Sequence, residues 1–110
     1  MVSHGHFLQD AATGLPDELS EVMLTGRDLR IERIVSHGQA SPPDFWYDQD
    51  EDEWVMLLEG EATLRLHGDA PLLRLMPGMH VHLPAHLRHR VESTAADRRT
   101  VWLAVFYRSA

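Results

Sequence analysis

From Leu29 the chain alternates: Leu29, Ile31, Arg33 and Val35 fall on one face, Arg30, Glu32 and Ile34 on the other. That period of two predicts a strand with one mixed face. Residues 37–44 break it, because the pair Pro42-Pro43 cannot donate to a sheet ladder. Residues 53–59 form the most apolar run, followed by a half-buried strand in which Ala62, Leu64 and Leu66 alternate with Glu61, Thr63, Arg65 and His67. Turns at 68–71, 77–78 and 84–85 separate further strands at 72–76, 80–83 and 89–93. Residues 100–107 are apolar on both faces, which predicts a central strand. Upstream, Pro16-Asp17-Glu18 has the composition of a helix start; residues 21–25 could continue that helix or form a strand. Short strands at even spacing, with Gly and Pro turns and at most a short N-terminal helix, predict an all-β sandwich or barrel.

Composition narrows the chemistry. A chain of 110 residues holds one core. Residues 1–15 mix Gly, His, Asp and Ala without a period and are expected to be a flexible N-terminal segment, with a single barrel domain over 16–110. The hydrophobic share of 44% and charged share of 25% describe an ordinary globular protein, and the net charge of −7 argues against a nucleic-acid partner. All ten basic residues are Arg; the absence of Lys and Cys excludes Schiff-base and thiol chemistry, thiolate metal sites and disulfides. The longest apolar run, 101–107, is too short to span a bilayer, and no signal-like segment opens the chain. A cytoplasmic protein without a membrane partner is expected. If the initiator Met is removed, Val2-Ser3-His4 offers an amine, two amides and an imidazole, a chelate for copper(II) or nickel(II) that would confuse a metal assay.

The segment from Phe45 to Gly60 carries a knot of acids between two aromatic-rich runs. Carboxylates clustered in a half-buried sheet are costly unless a cation sits among them. Read as a hairpin, it pairs Asp48 with Glu53 around a four-residue loop, or Gln49 with Glu53 around a three-residue loop.

At these residues the chain resembles the cupin superfamily, in particular its small single-domain members. Glu53, six residues and Gly60 match the end of the first cupin motif. Gly78, five residues, Pro84, Ala85, His86, two residues and His89 match the frame of the second. The resemblance covers roughly residues 29–107 and implies a double-stranded β-helix, a jelly-roll barrel that usually holds a divalent metal. It places Glu53 and His89 at metal-ligand positions. The two histidines of the first motif are replaced by Trp46 and Asp48, or in the other spacing by Tyr47 and Gln49; Ser93 stands where the second motif has Asn. The expected metal set is therefore Asp48, Glu53 and His89, holding manganese, iron, zinc or nickel. Two carboxylates and one imidazole suit hard ions such as manganese(II), iron(II), magnesium or calcium better than an imidazole-rich set does. His86 is the candidate for proton transfer or a supporting hydrogen bond.

His80 and His82 share a strand face at ligand spacing but read more economically as surface residues, as do His37 and His67. Arg88 and Arg90 should point away from the face of His89. Three functions remain: a metal-dependent enzyme on an oxygen-bearing small molecule, a non-catalytic ligand-binding or sensing barrel with a degenerate metal site, and a structural barrel. Pairing of an exposed sheet edge in a homodimer is expected on general grounds.

Overall fold

The computed structural model describes residues 1–14, 16–68 and 71–109. Eight strands follow in chain order: β1 Leu19–Gly26, β2 Leu29–Ser36, β3 Asp52–Glu59, β4 Ala62–Leu66, β5 Leu73–Leu75, β6 His80–Leu83, β7 His89–Thr94 and β8 Thr100–Tyr107. They form two antiparallel sheets, one in the order β1-β2-β8-β3-β6 and the other β5-β4-β7. The all-β barrel expected from the strand spacing, in the jelly-roll form that the resemblance implies, is what these sheets make, and no helix occurs among the described residues. The helix start at Pro16 is therefore corrected. Residues 19–26 pair along β2 from Leu19–Val35 to Gly26–Leu29, and that ladder outweighs a first turn's worth of helix propensity. The expected turn at 68–71 lies partly outside the described residues.

The core lies between the sheets. Val55, Leu57, Leu64, Leu75, Leu83, Trp102, Ala104 and Phe106 point inward from both, each nearly inaccessible. β8 is central, with β2 on one side and β3 on the other, which explains its apolarity on both faces. Its inward residues feed the core; the outward Val101 packs with Val35 and Ala11, and with Phe7 and Leu8 of the N-terminal segment. That segment, expected to be flexible, is docked over residues 6–12. The Arg99 guanidinium donates to the carbonyls of Leu8, Ala11 and Ala12 while pairing with Glu59, and Arg33 donates to the carbonyl of Phe7.

Gly60 ends β3 at φ +88°, where a Cβ would lie 2.7 Å from both the Arg99 carbonyl oxygen and the Thr100 Cα. The motif glycine is thus required twice, by its backbone angle and by the close approach of the chain entering β8.

Candidate functional site

The acidic knot does not form the expected hairpin. Glu53, on β3, lies opposite Leu83 of β6 and Phe106 of β8. The preceding run instead crosses to the other sheet, where Tyr47 exchanges both backbone hydrogen bonds with His89 of β7 (2.7 and 3.1 Å). The reading of Asp48 opposite Glu53 is corrected accordingly: one bridge to β7 fixes Tyr47 and turns Asp48 outward. The acids then disperse. Glu51 is clamped by two Arg30 nitrogens at 3.1 Å each, Asp52 accepts the Ala85 amide and the Ser109 hydroxyl, and Asp48 meets His86 Nδ1 at 2.9 Å.

What remains inside is Glu53. Its residue is 8% exposed, and its carboxylate accepts a hydrogen bond from the Gln49 side-chain amide at 3.1 Å. His89, 5% exposed, brings Nε2 to 3.7 Å from Glu53 Oε1, while its Nδ1 lies 3.0 Å from the Leu87 carbonyl oxygen. A backbone acceptor at Nδ1 puts the proton of the neutral ring there, leaving Nε2 as a lone pair facing Glu53. The Tyr47 ring stacks on His89 at 5.2 Å and 23°. These groups border a cavity of about 80 Å³, closed otherwise by Ile34, Val55, Leu64, Leu83, Val91, Trp102 and Phe106, with Glu18 and Gln49 also on its wall.

The electrostatics follow from burial. Loss of hydration pushes the Glu53 carboxyl up to about 7; the carboxylates of Glu32 and Glu51 add to this, opposed by the Gln49 hydrogen bond and by Arg30. Burial lowers the pKa of His89, partly offset by its bond to Leu87. Tyr47 is raised by burial and by the charges of Glu18 and Glu53. Each group is displaced toward its uncharged form, and 3.7 Å leaves room for a bridging atom.

The structure brings Glu53 and His89 together but not Asp48 or His86. Both of the latter are more than half or half exposed at the side chain and face each other outside the cavity, with His86 in the left-handed region at φ 67°. Sequence reasoning does not find Gln49 and Glu18 as pocket residues: spacing offers Gln49 only as an alternative to Asp48, and nothing local marks Glu18, which reaches the cavity from the approach to β1. His80 and His82 are exposed on the outer face, stacked on Trp54 and Tyr107 respectively. Arg88 lies over the Trp46 ring and Arg90 holds the carbonyls of Ser41 and Pro42, both away from the pocket as expected.

The donors do not add up to a metal site. Zinc in proteins takes three or four protein donors, and non-haem iron(II) of the facial-triad type takes two histidines and a carboxylate. Here one buried carboxylate and one imidazole face each other beside a neutral amide, Glu18 on the same wall is exposed and bound to Ser36, and no group of three His, Cys, Asp or Glu suited to a metal occurs among the described residues.

The family model of the cupin domain matches residues 32–106. The chain belongs to the cupin family. Its whole length is also similar to a crystal structure from Ralstonia eutropha JMP134 of a protein provisionally named a mannose-6-phosphate isomerase, with 46% identity over 98% of this chain and 100% of that one and a TM-score of 0.94. Two more distant cupin barrels show the fold alone. A cupin superfamily protein of Desulfitobacterium hafniense DCB-2 is 18% identical, with 90% of this chain and 84% of that one covered and a TM-score of 0.73. The DMSP lyase DddQ of Ruegeria pomeroyi DSS-3 is 22% identical over 83% of this chain and 47% of that one, with a TM-score of 0.68. No curated protein matches the chain. Among the described residues no helix is long and apolar enough to cross a membrane.

Proposed function

We propose that this cupin binds a small organic molecule in its barrel without a metal, holding the ligand's polar group between Glu53 and His89. The observation that carries this reading is a buried carboxylate and a buried imidazole 3.7 Å apart in an otherwise apolar cavity. Few convergent polar groups on apolar walls are what an organic ligand site needs. At about 80 Å³ the cavity is small beside the roughly 300–1,000 Å³ of drug-sized sites, so a few heavy atoms fill it. Because the Glu53 carboxyl changes state near pH 7, it can also take or give a proton to a bound molecule.

A sugar phosphate, suggested by the name of the Ralstonia protein, is poorly served. No arginine lies on the cavity wall, two carboxylates do, and a phosphate dianion would meet repulsion. The non-catalytic and the catalytic forms of the proposal share the same pocket and differ in whether Glu53 exchanges a proton with the ligand.

The test is a panel of small neutral and charged organic molecules added to isotope-labelled protein. Ligands of this site shift the Trp102 indole and the amides of Tyr47, Val55 and Val91. Shifts confined to the outer sheet face, or none across the panel, overturn the reading. The homodimer is a separate proposal, supported by β1. That strand forms one edge of the larger sheet and exposes Val22, Met23 and Leu24 by 57%, 43% and 56%. Sedimentation at two concentrations tests it.

A further inference from the structure

Glu18 and Glu53 both border the cavity, and aromatic rings of Tyr47, Trp102 and Phe106 form part of its wall. Glu53 is buried on that wall, while Glu18 on the same wall is exposed and accepts a hydrogen bond from Ser36, so a ligand in the cavity meets negative charge from both. The protein's own cations do not neutralise it. Arg30 lies 4.4 Å over the Phe106 ring but is committed to Glu32 and Glu51 and is not on the cavity wall. Arg33 pairs with Glu21 and the Phe7 carbonyl, and Arg99 with Glu59 and the N-terminal segment. His89 carries its proton toward the Leu87 carbonyl and presents Nε2 as an acceptor.

We infer that the ligand of this pocket is a small organic cation, an alkylated ammonium or a group of the same charge and shape, seated among Tyr47, Trp102 and Phe106 and neutralised by Glu18 and Glu53. Aromatic faces attract a cation through the ring quadrupole, and more strongly the more of its water it sheds. The rings are held in place before the ligand arrives. Tyr47 stacks on His89, the Trp102 indole N–H donates to Ser36 Oγ at 3.4 Å, and the same hydroxyl donates to Glu18 Oε2 at 2.9 Å. Ser36 thus ties one aromatic wall to one carboxylate. Gln49 holds the other carboxylate, donating to Glu53 at 3.1 Å. The inference rests on the ligand-binding reading above and adds the charge of the ligand to it.

Three probes of one shape separate the two statements: choline, the neutral 3,3-dimethylbutan-1-ol and the anionic 3,3-dimethylbutanoate, titrated into the full chain at pH 8 with the Trp102 indole resonance as readout. The expected result is saturable choline binding at least tenfold tighter than either of the others. Glu18→Gln and Glu53→Gln should each weaken choline several-fold more than they change binding of the alcohol. If the alcohol or the butanoate binds as tightly as choline, the cation inference is overturned and the ligand-binding reading stands. If none of the three moves Trp102, the inference is overturned, and the wider panel decides the ligand-binding reading independently.

Discussion

Glu53 and His89 face each other across the barrel at 3.7 Å, although one is on β3 of the five-stranded sheet and the other on β7 of the three-stranded sheet. The Tyr47 bridge to His89 and the Gln49 side-chain bond to Glu53 lie two residues apart in one segment, so that segment ties the two sheets at the mouth of the site.

Glu53 makes stability depend on pH in a calculable direction. The folded carboxyl titrates near 7 and the unfolded one near 4.5. Between those values the folded state keeps a proton that the unfolded state has released. Stability therefore falls as pH rises through this window, by about 3 kcal/mol, and levels off above it. Glu53→Gln has no such loss, so its stability relative to wild type should be greater at pH 8 than at pH 4 by about that amount, read from urea unfolding at both pH values. Parallel behaviour of the two proteins would refute a buried, uncompensated carboxyl. His89 acts the other way. Its lowered folded pKa contributes stability that is present above the ordinary value and lost as pH falls through the folded one.

Outside the pocket, His86→Asn tests whether His86, the candidate for proton transfer, serves the site. Asn tolerates the left-handed backbone that His86 adopts at φ 67°. The exposed His86–Asp48 pair contributes at most about 1 kcal/mol. Ligand binding measured at Trp102 should change less than twofold. A tenfold loss would put His86 in the binding machinery.

The close approach at Gly60 sets a third expectation. Gly60→Ala adds a Cβ into the Arg99–Thr100 backbone and a positive φ to a residue that resists it. The combined cost is about 2–5 kcal/mol. Thermal unfolding checks it, and an unchanged midpoint would contradict the packing described.

Much of the fold was legible in the sequence because strand periodicity and Gly/Pro turns are local signals. β3, β4 and β6–β8 lie within a residue or two of where alternation put them, and the two-sided apolarity of residues 100–107 marked the central strand. The strand at 19–26 was less legible, since its support comes from β2 rather than from its own composition. Glu53 and His89 could be singled out by motif spacing. Asp48 could not be excluded the same way, because its direction depends on Tyr47 pairing with β7, a contact between residues far apart in the chain. Glu18 left no local trace, since its place on the cavity wall is set by how the chain enters β1.

The most direct test of the metal-free pocket is the metal content of untagged, full-length protein after dialysis against manganese(II) and zinc(II), compared among wild type, Glu53→Ala and His89→Ala. Comparing the three cancels any metal held by Val2-Ser3-His4 near the N-terminus. The expected result is the same metal content in all three. One equivalent of metal in wild type that is lost in both variants would contradict the metal-free site and restore Glu53 and His89 as ligands.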